Sequence, residues 1–268
     1  MASADNMQLI NERGWLQGFA NLFRKENGEW WHTRRWWTQS LLWLLIVNGI
    51  LAVGVWVVPL VEPEEAGGLV ENLGIFLQLM GWFPMFAVII ITQGAIISEK
   101  QSGTAAWILS APVSRSGFIL SKLIANAIGF LVTIIIMQGL IAYVQLSLSE
   151  GGLLPIGTFL ASLGLLSLYL LFYLALTLML GTFFNDRGPV LGIAIGVAIF
   201  SMLSMGNLFA GFMPWLVLVL PETLPGLISA LVQGETLPAI WPVPIIAISL
   251  YIVLFVGLAI WRFNREHF

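Results

Sequence analysis

SEKQSGTAAWILSAPVSRSGFILSK, residues 98–122, is the stretch on which the fold turns. On either side of it, residues 75–97 and 123–147 run without a single charged side chain. A helix rises 1.5 Å per residue, so about 20 apolar residues cross a hydrocarbon core of roughly 30 Å. The chain therefore crosses a membrane, lays a short segment along its surface and returns. Within that segment Thr104 is placed to N-cap a two-turn helix through Ala111. Pro112 then stops it, and Ser114 caps a second helix that runs into the next span. Trp107, Ile108 and Leu109, beside Glu99 and Arg115, offer more apolar surface than a solvent loop needs, which suits a partner's groove.

Working outward, six apolar runs cover residues 41–61, 75–97, 123–147, 158–184, 189–212 and 244–261. This predicts an all-α polytopic membrane protein, one transmembrane domain over residues 1–268 with six transmembrane helices. Charge gives it an orientation. Arg13, Arg24, Lys25, Arg34 and Arg35 precede the first run; Lys100, Arg115 and Lys122 lie in the second connection, Arg187 in the fourth, and Arg262 and Arg265 in the tail. The odd connections hold Glu62, Glu64, Glu65, Glu71, Glu150, Glu222 and Glu235 and no cation. With cations kept inside, both termini are cytoplasmic and the protein is a multi-pass protein of the cell membrane. The net charge of −3 is thus an average over two unlike faces. Nucleic-acid binding has no support, and the basic N-terminal segment faces the anionic lipid head groups of the bilayer.

Several chemistries are excluded. The chain has no Cys, hence no disulfide, thiolate or Cys-based metal site. Its two His, His32 and His267, lie outside the runs, so no metal site is expected and an intramembrane enzyme lacks its nucleophiles and ligands. The first run starts too late and is too long for a cleaved signal sequence. Residues 1–40 are the longest polar stretch, too short for a nucleotide-binding domain, and no phosphate-binding Gly-rich loop is present. The chain needs no cofactor of its own, and any ATP and Mg must sit on a partner.

Before the first run, Trp15, Leu16, Phe19, Leu22 and Phe23 fall at helical spacing opposite Gln17, Asn21, Arg24 and Lys25, an amphipathic interface helix. Residues 29–37 then interleave Trp30, Trp31, Trp36 and Trp37 with Arg34 and Arg35, which reads as an aromatic belt with snorkelling cations and, alternatively, as a contact for a cytoplasmic partner. Residues 213–243 are apolar but broken by Pro214, Pro221, Pro225, Pro238 and Pro242, so short helices packed on the outer face are expected there.

The order Glu99, Gly103-Thr104, a short apolar stretch, Pro112-Val113-Ser114-Arg115 and Lys122 resembles the permease subunits of type-2 ATP-binding-cassette (ABC) exporters. The resemblance extends over the whole chain through its length, six spans and amphipathic start. It implies that residues 98–122 hold a coupling helix seated in a separate ATPase subunit, with Glu99, Gly103, Thr104, Trp107, Leu109, Pro112, Ser114, Arg115 and Lys122 at that contact. Phe23-Arg24-Lys25-Glu26 likewise resembles the family's interface helix, and the Trp run after it is a departure. The implied assembly has two ATPase subunits, which carry ATP and Mg, and a second permease copy or a similar chain. A non-transporting anchor that recruits a cytoplasmic ATPase is the alternative.

The runs hold no ionisable acid or base, which argues against a gradient-driven carrier. Asn48, Gln78, Gln93, Asn126, Gln138, Gln145 and Asn207 are expected chiefly as bonds between helices, and otherwise as pathway contacts. Gly192 and Gly196 permit close helix approach and are expected to pack within the chain, and Pro84 is expected to kink its span. The lack of buried charge favours a small amphipathic or hydrophobic substrate.

Overall fold

Apolar runs of this length bury their backbone only as helices, because hydrocarbon supplies no hydrogen-bond partner. The computed structural model describes residues 14–266, so Arg13 and His267 lie outside the described residues. Helix α1 covers Phe19–Trp31. The elements that follow are α2 (Arg35–Val61), α3 (Leu69–Gln101), the short α4 (Thr104–Ser110), α5 (Arg115–Ser149) and α6 (Ile156–Phe183). Helices α7 (Arg187–Met202), α8 (Pro214–Leu218), α9 (Thr223–Val232) and α10 (Pro242–Asn264) complete the described chain. No strand occurs among the described residues.

Helix α6 is apolar on all sides and is the most deeply buried of the long helices, as that pattern requires. It packs against α3, α5, α7, α9 and α10. Phe172 meets Tyr251 and Phe255 of α10 at 6.2 and 5.5 Å between ring centres. Pro84 lies buried inside α3, where its ring withholds one helical N–H. Helix α2 is widened at Leu44–Asn48 and Val53–Val57 into π turns, and α5 at Leu131–Ile136.

Among the described residues five helices, α2, α3, α5, α6 and α10, are long and apolar enough to cross a membrane. The expected count is six. The run at residues 189–212 yields only the 16-residue α7, about 24 Å long at 1.5 Å per residue. The helix ends because Ser204 turns left-handed at φ 50 and a 3-10 turn, Met205–Phe209, follows. Hydropathy continues past this point and registers no break. Beyond it, α8 and α9 are the short helices expected of the proline-broken connection.

Helix α1 corrects two expectations. Trp15 and Leu16 precede it and are exposed, since Gly18 at φ 75 interrupts the turn and fits against Val113. The face that α1 buries is Leu22, Glu26 and Trp30, a stripe at i, i+4 and i+8 laid on α5. Trp30 is therefore core, 1% exposed, whereas Trp36 and Trp37 face outward. Its ring lies edge-on to Phe130 at 4.9 Å, and its indole N–H donates to Asn126 Oδ1 at 3.2 Å.

The Trp30 ring occupies the space over Gly129 that a Cβ would need. Gly129→Ala should therefore displace α1 and cost about 1–3 kcal/mol by overpacking. The check is thermal unfolding in detergent together with protease cleavage near α1. In the connection after α7, Glu222 is buried, accepting from the Gly206 N–H at 3.3 Å. Burial pushes its carboxyl up, opposed by that N–H. A raised carboxyl favours folding most at pH below its ordinary value, and the benefit is lost as pH rises through the folded value. Glu222→Gln should then melt higher than the parent at pH 7, with the gap closing as pH falls toward 4.5.

Candidate functional site

Four of the sequence-selected residues meet in one cluster, buried at Lys122 and Glu26 and open to the surface at Lys25. Lys25 and Glu26 come from α1, Glu99 from the end of α3 and Lys122 from α5. Lys122 Nζ, with its side chain only 3% exposed, lies 2.9 Å from Glu26 Oε1 and 3.0 Å from Glu99 Oε1. Lys25 Nζ lies 2.8 Å from the same Glu99 oxygen and 3.3 Å from Glu26 Oε1. Two cations and two carboxylates thus alternate around one closed ring of charge. For Lys25, desolvation is the largest single influence and opposes the charge, but the hydrogen bonds and charges of Glu99 and Glu26 together raise its pKa. Glu99 Oε2 is buried with no hydrogen-bond partner among the described residues.

The segment between Glu99 and Lys122 folds as two helices divided by Pro112, which is exposed. Gly103, at φ 72, takes the capping position before α4, so Thr104 is its first residue and not its cap. Only Gly enters that left-handed turn without strain, and the Thr104 hydroxyl pairs with Ser102 Oγ at 2.8 Å. Ala105 and Ile108 turn inward, Leu109 packs against the core, and Trp107 stands outward, 76% exposed. Ser114 caps α5 as its sequence position predicts, its Oγ accepting from Gly117 N at 3.0 Å. The Ser114 N–H donates to Gln17 O at 2.9 Å, and Ser116 Oγ donates to Trp15 O. The chain before α1 is thus tied to the same loop.

Arg115 turns away from the exposed face of α4. Its Nη1 donates to the carbonyls of Phe263, Asn264 and Glu266 at 2.9, 2.7 and 2.8 Å, closing the C-terminus of α10. Phe118 stacks on Phe263 beside it, 5.0 Å between rings. Lys100, which sequence reasoning passed over as an orientation charge, plays the same part for α6. It donates to the carbonyls of Thr182 and Phe184 and pairs with Glu266 at 2.8 Å. Gln101 donates to Asn185 O, and Arg187 to Ser98 Oγ. The usable signal was position, a cation in the connection facing the last turn of a long helix. Of the remaining candidates, Phe23 stacks on Phe19 and Arg24 is exposed.

The polar residues of the spans divide. Asn48 donates to Gln138 Oε1 at 2.9 Å and accepts from Gln145 at 3.2 Å. Gln138 in turn donates to Ser40 O and to Thr133 O, the latter inside the π turn of α5. Asn126 holds Trp30 and donates to Lys122 O. These four, Asn48, Asn126, Gln138 and Gln145, bond between helices. Gln78 and Asn207 instead line clefts at the opposite end of the bundle, and Gln93 Oε1 is buried with no hydrogen-bond partner among the described residues. Gly192 and Gly196, expected to pack within the chain, have nothing within 4 Å of a Cβ position. Among the described residues no His, Cys, Asp and Glu group has the makings of a metal site.

Removing one member of a buried pair strands its partner's charge, which typically costs 3–5 kcal/mol. Lys122→Ala should lower the melting temperature sharply, while Lys122→Ala with Glu26→Ala should recover part of the loss. A double-mutant cycle read by thermal unfolding measures the coupling.

The chain is 26% identical over 247 residues to the "Probable ABC transporter permease protein NosY" of Pseudomonas aeruginosa, an alignment that covers 83% of this chain and 85% of that protein. A family described as "Protein of unknown function (DUF2705)" matches residues 41–268, from inside α2 through α10 and the tail. The helical bundle, with its loop between α3 and α5 tied to the ends of α6 and α10, is accordingly that of a chain that belongs to the DUF2705 family.

Proposed function

We propose that this chain is the membrane-spanning permease subunit of an ATP-driven ABC transporter of the type-2 exporter class, coupled to separate ATPase subunits. The observation that carries the reading is the charge ring of Lys25, Glu26, Glu99 and Lys122. It fastens α1 to both sides of the loop that displays α4, so force applied at Trp107 acts on α3 and α5 together. The similarity to a probable ABC permease over most of the chain supports the same conclusion.

In this reading the end that bears the ring is cytoplasmic, and α7 with its following 3-10 turn makes the sixth crossing, which keeps every Lys and Arg on one side. Helix α4 is the coupling helix and seats Trp107 in the ATPase, with Leu109 backing it against the core. ATP and Mg bind on that partner. A second copy packs against α7, where Gly192 and Gly196 leave an open face. The ATPases change the conformation only insofar as their ATP-bound form binds one arrangement of the permease better than the other.

Because Arg115 caps α10, replacing it would confound docking with folding. Trp107 is the clean probe, since its side chain stands in the open. Trp107→Ala should leave the melting temperature of the permease unchanged and reduce co-purification of the co-expressed ATPase about tenfold or more, the effect of a buried aromatic anchor. Undiminished co-purification and ATP hydrolysis would overturn the docking role of α4. ATPase that binds, with hydrolysis indifferent to the permease, would favour the anchor.

A further inference from the structure

At the end of the bundle remote from the charge ring, a cleft of ≈ 830 Å³ runs between α3, α6 and α9. Its α3 wall is Glu71, Gly74, Gln78 and Gly81, spaced three, four and three residues apart and so aligned on one helix face. A Cβ at Gly74 would meet nothing within 4 Å, and at Gly81 only Leu166 at 3.8 Å. Small and polar residues, not lipid-facing ones, occupy this stripe of a membrane helix. The facing wall is α9, with Ile228, Ser229, Val232 and Gln233 at the matching helical spacing. From Leu69 to Trp82 the lining follows α3 for about 20 Å, a depth of some two-thirds of a hydrocarbon core.

The chemistry along this length changes from one end to the other. Glu71 sits in the first turn of α3 and is exposed at the mouth. Gln78, Ser229 and Gln233 offer neutral hydrogen-bonding groups midway. Leu77, Leu166, Ile228 and Trp82 supply apolar surface along and below them. Among the described residues no Lys or Arg lines the cleft, and the adjoining cleft of ≈ 470 Å³, which shares Ser204 and Pro225 with it, adds the exposed Glu235. The potential at the mouth is therefore negative, which repels anions and concentrates cations. The volume lies in the range of drug-sized ligand sites.

We propose that this cleft binds a single cationic amphiphile, a small molecule whose positive head lies at Glu71 and whose apolar body runs along Gln78 and Ile228 toward Trp82. As the site of a transported substrate it rests on the permease reading. As a binding site it does not.

The test uses the full chain in nanodiscs with no ATPase present, so that its failure leaves the docking question untouched. The probes are rhodamine 6G, a cationic xanthene dye, and sulforhodamine B, an anionic dye on a similar ring system, each followed by fluorescence anisotropy. The expected result is saturable binding of the cationic dye, at least tenfold stronger than that of the anionic one. Gly74→Leu fills the cleft at a position with open space and should weaken the cationic dye at least tenfold without lowering the melting temperature. Glu71→Gln should narrow the difference between the dyes. Equal titrations for the parent and Gly74→Leu would mean partition into the bilayer and would overturn the site. Equal affinity for both dyes would overturn the charge argument, and a phospholipid retained in the purified protein that the dye does not displace would assign the cleft to lipid.

Discussion

An ammonium group as deeply enclosed as that of Lys122 cannot stay charged without company, since desolvation of one ion removes several kcal/mol of hydration. Its company comes from two separate helices, Glu26 of α1 and Glu99 of α3, and both lean on it through a single oxygen each. The position of α1 follows from that requirement. A helix that buried only Leu22 and Trp30 could slide along α5; the carboxylate between them fixes one register. Asn126, one turn beyond Lys122, then sets the depth of the Trp30 indole. The loop between α3 and α5 is held by the same charges, so its exposed helix is presented from a rigid base.

A second constraint acts at the helix ends. The last carbonyls of a long helix have no donor of their own, and in a bundle they must find one. Arg115 and Lys100 supply donors to α10 and α6, and both residues belong to the loop segment. Inside the bundle the same shortage appears where α5 widens. The Thr133 carbonyl lies in that π turn and is met by the Gln138 side chain five residues on. Asn48 lies in a π turn of α2 and bonds the same glutamine. At two of the three widened turns, Leu44–Asn48 and Leu131–Ile136, a side-chain amide is bonded, and Asn48 and Gln138 are committed to holding helices together.

Much of this was legible in the sequence where one property decides. Uncharged runs gave the long helices, Pro112 the division of the loop, and Ser114 the start of α5. The residues gathered in the charge ring were all selected from their order in the chain. What escaped reading depends on conformation or on distant partners. The run through Phe212 is apolar to its end, and only the left-handed Ser204 stops α7 there. Trp30 is one of four neighbouring indoles and carries no local mark of burial. Glu26 lies on the buried face of α1 because of an ammonium 96 residues away. The cleft needs two stripes, on α3 and α9, that lie far apart in the chain and look unremarkable separately.

The Arg115 contact also has a meaning in time. Arg115 and the carbonyls it closes are separated by 148 to 151 residues. A chain emerging from its N-terminus can complete the ring of Lys25, Glu26, Glu99 and Lys122 while α6 and α10 are still unmade. The bonds of Arg115 to those carbonyls form only once the last helix has been inserted. The loop therefore acquires its full set of ties only once α10 is in place, so that order on the face that bears α4 reports the insertion of the last helix.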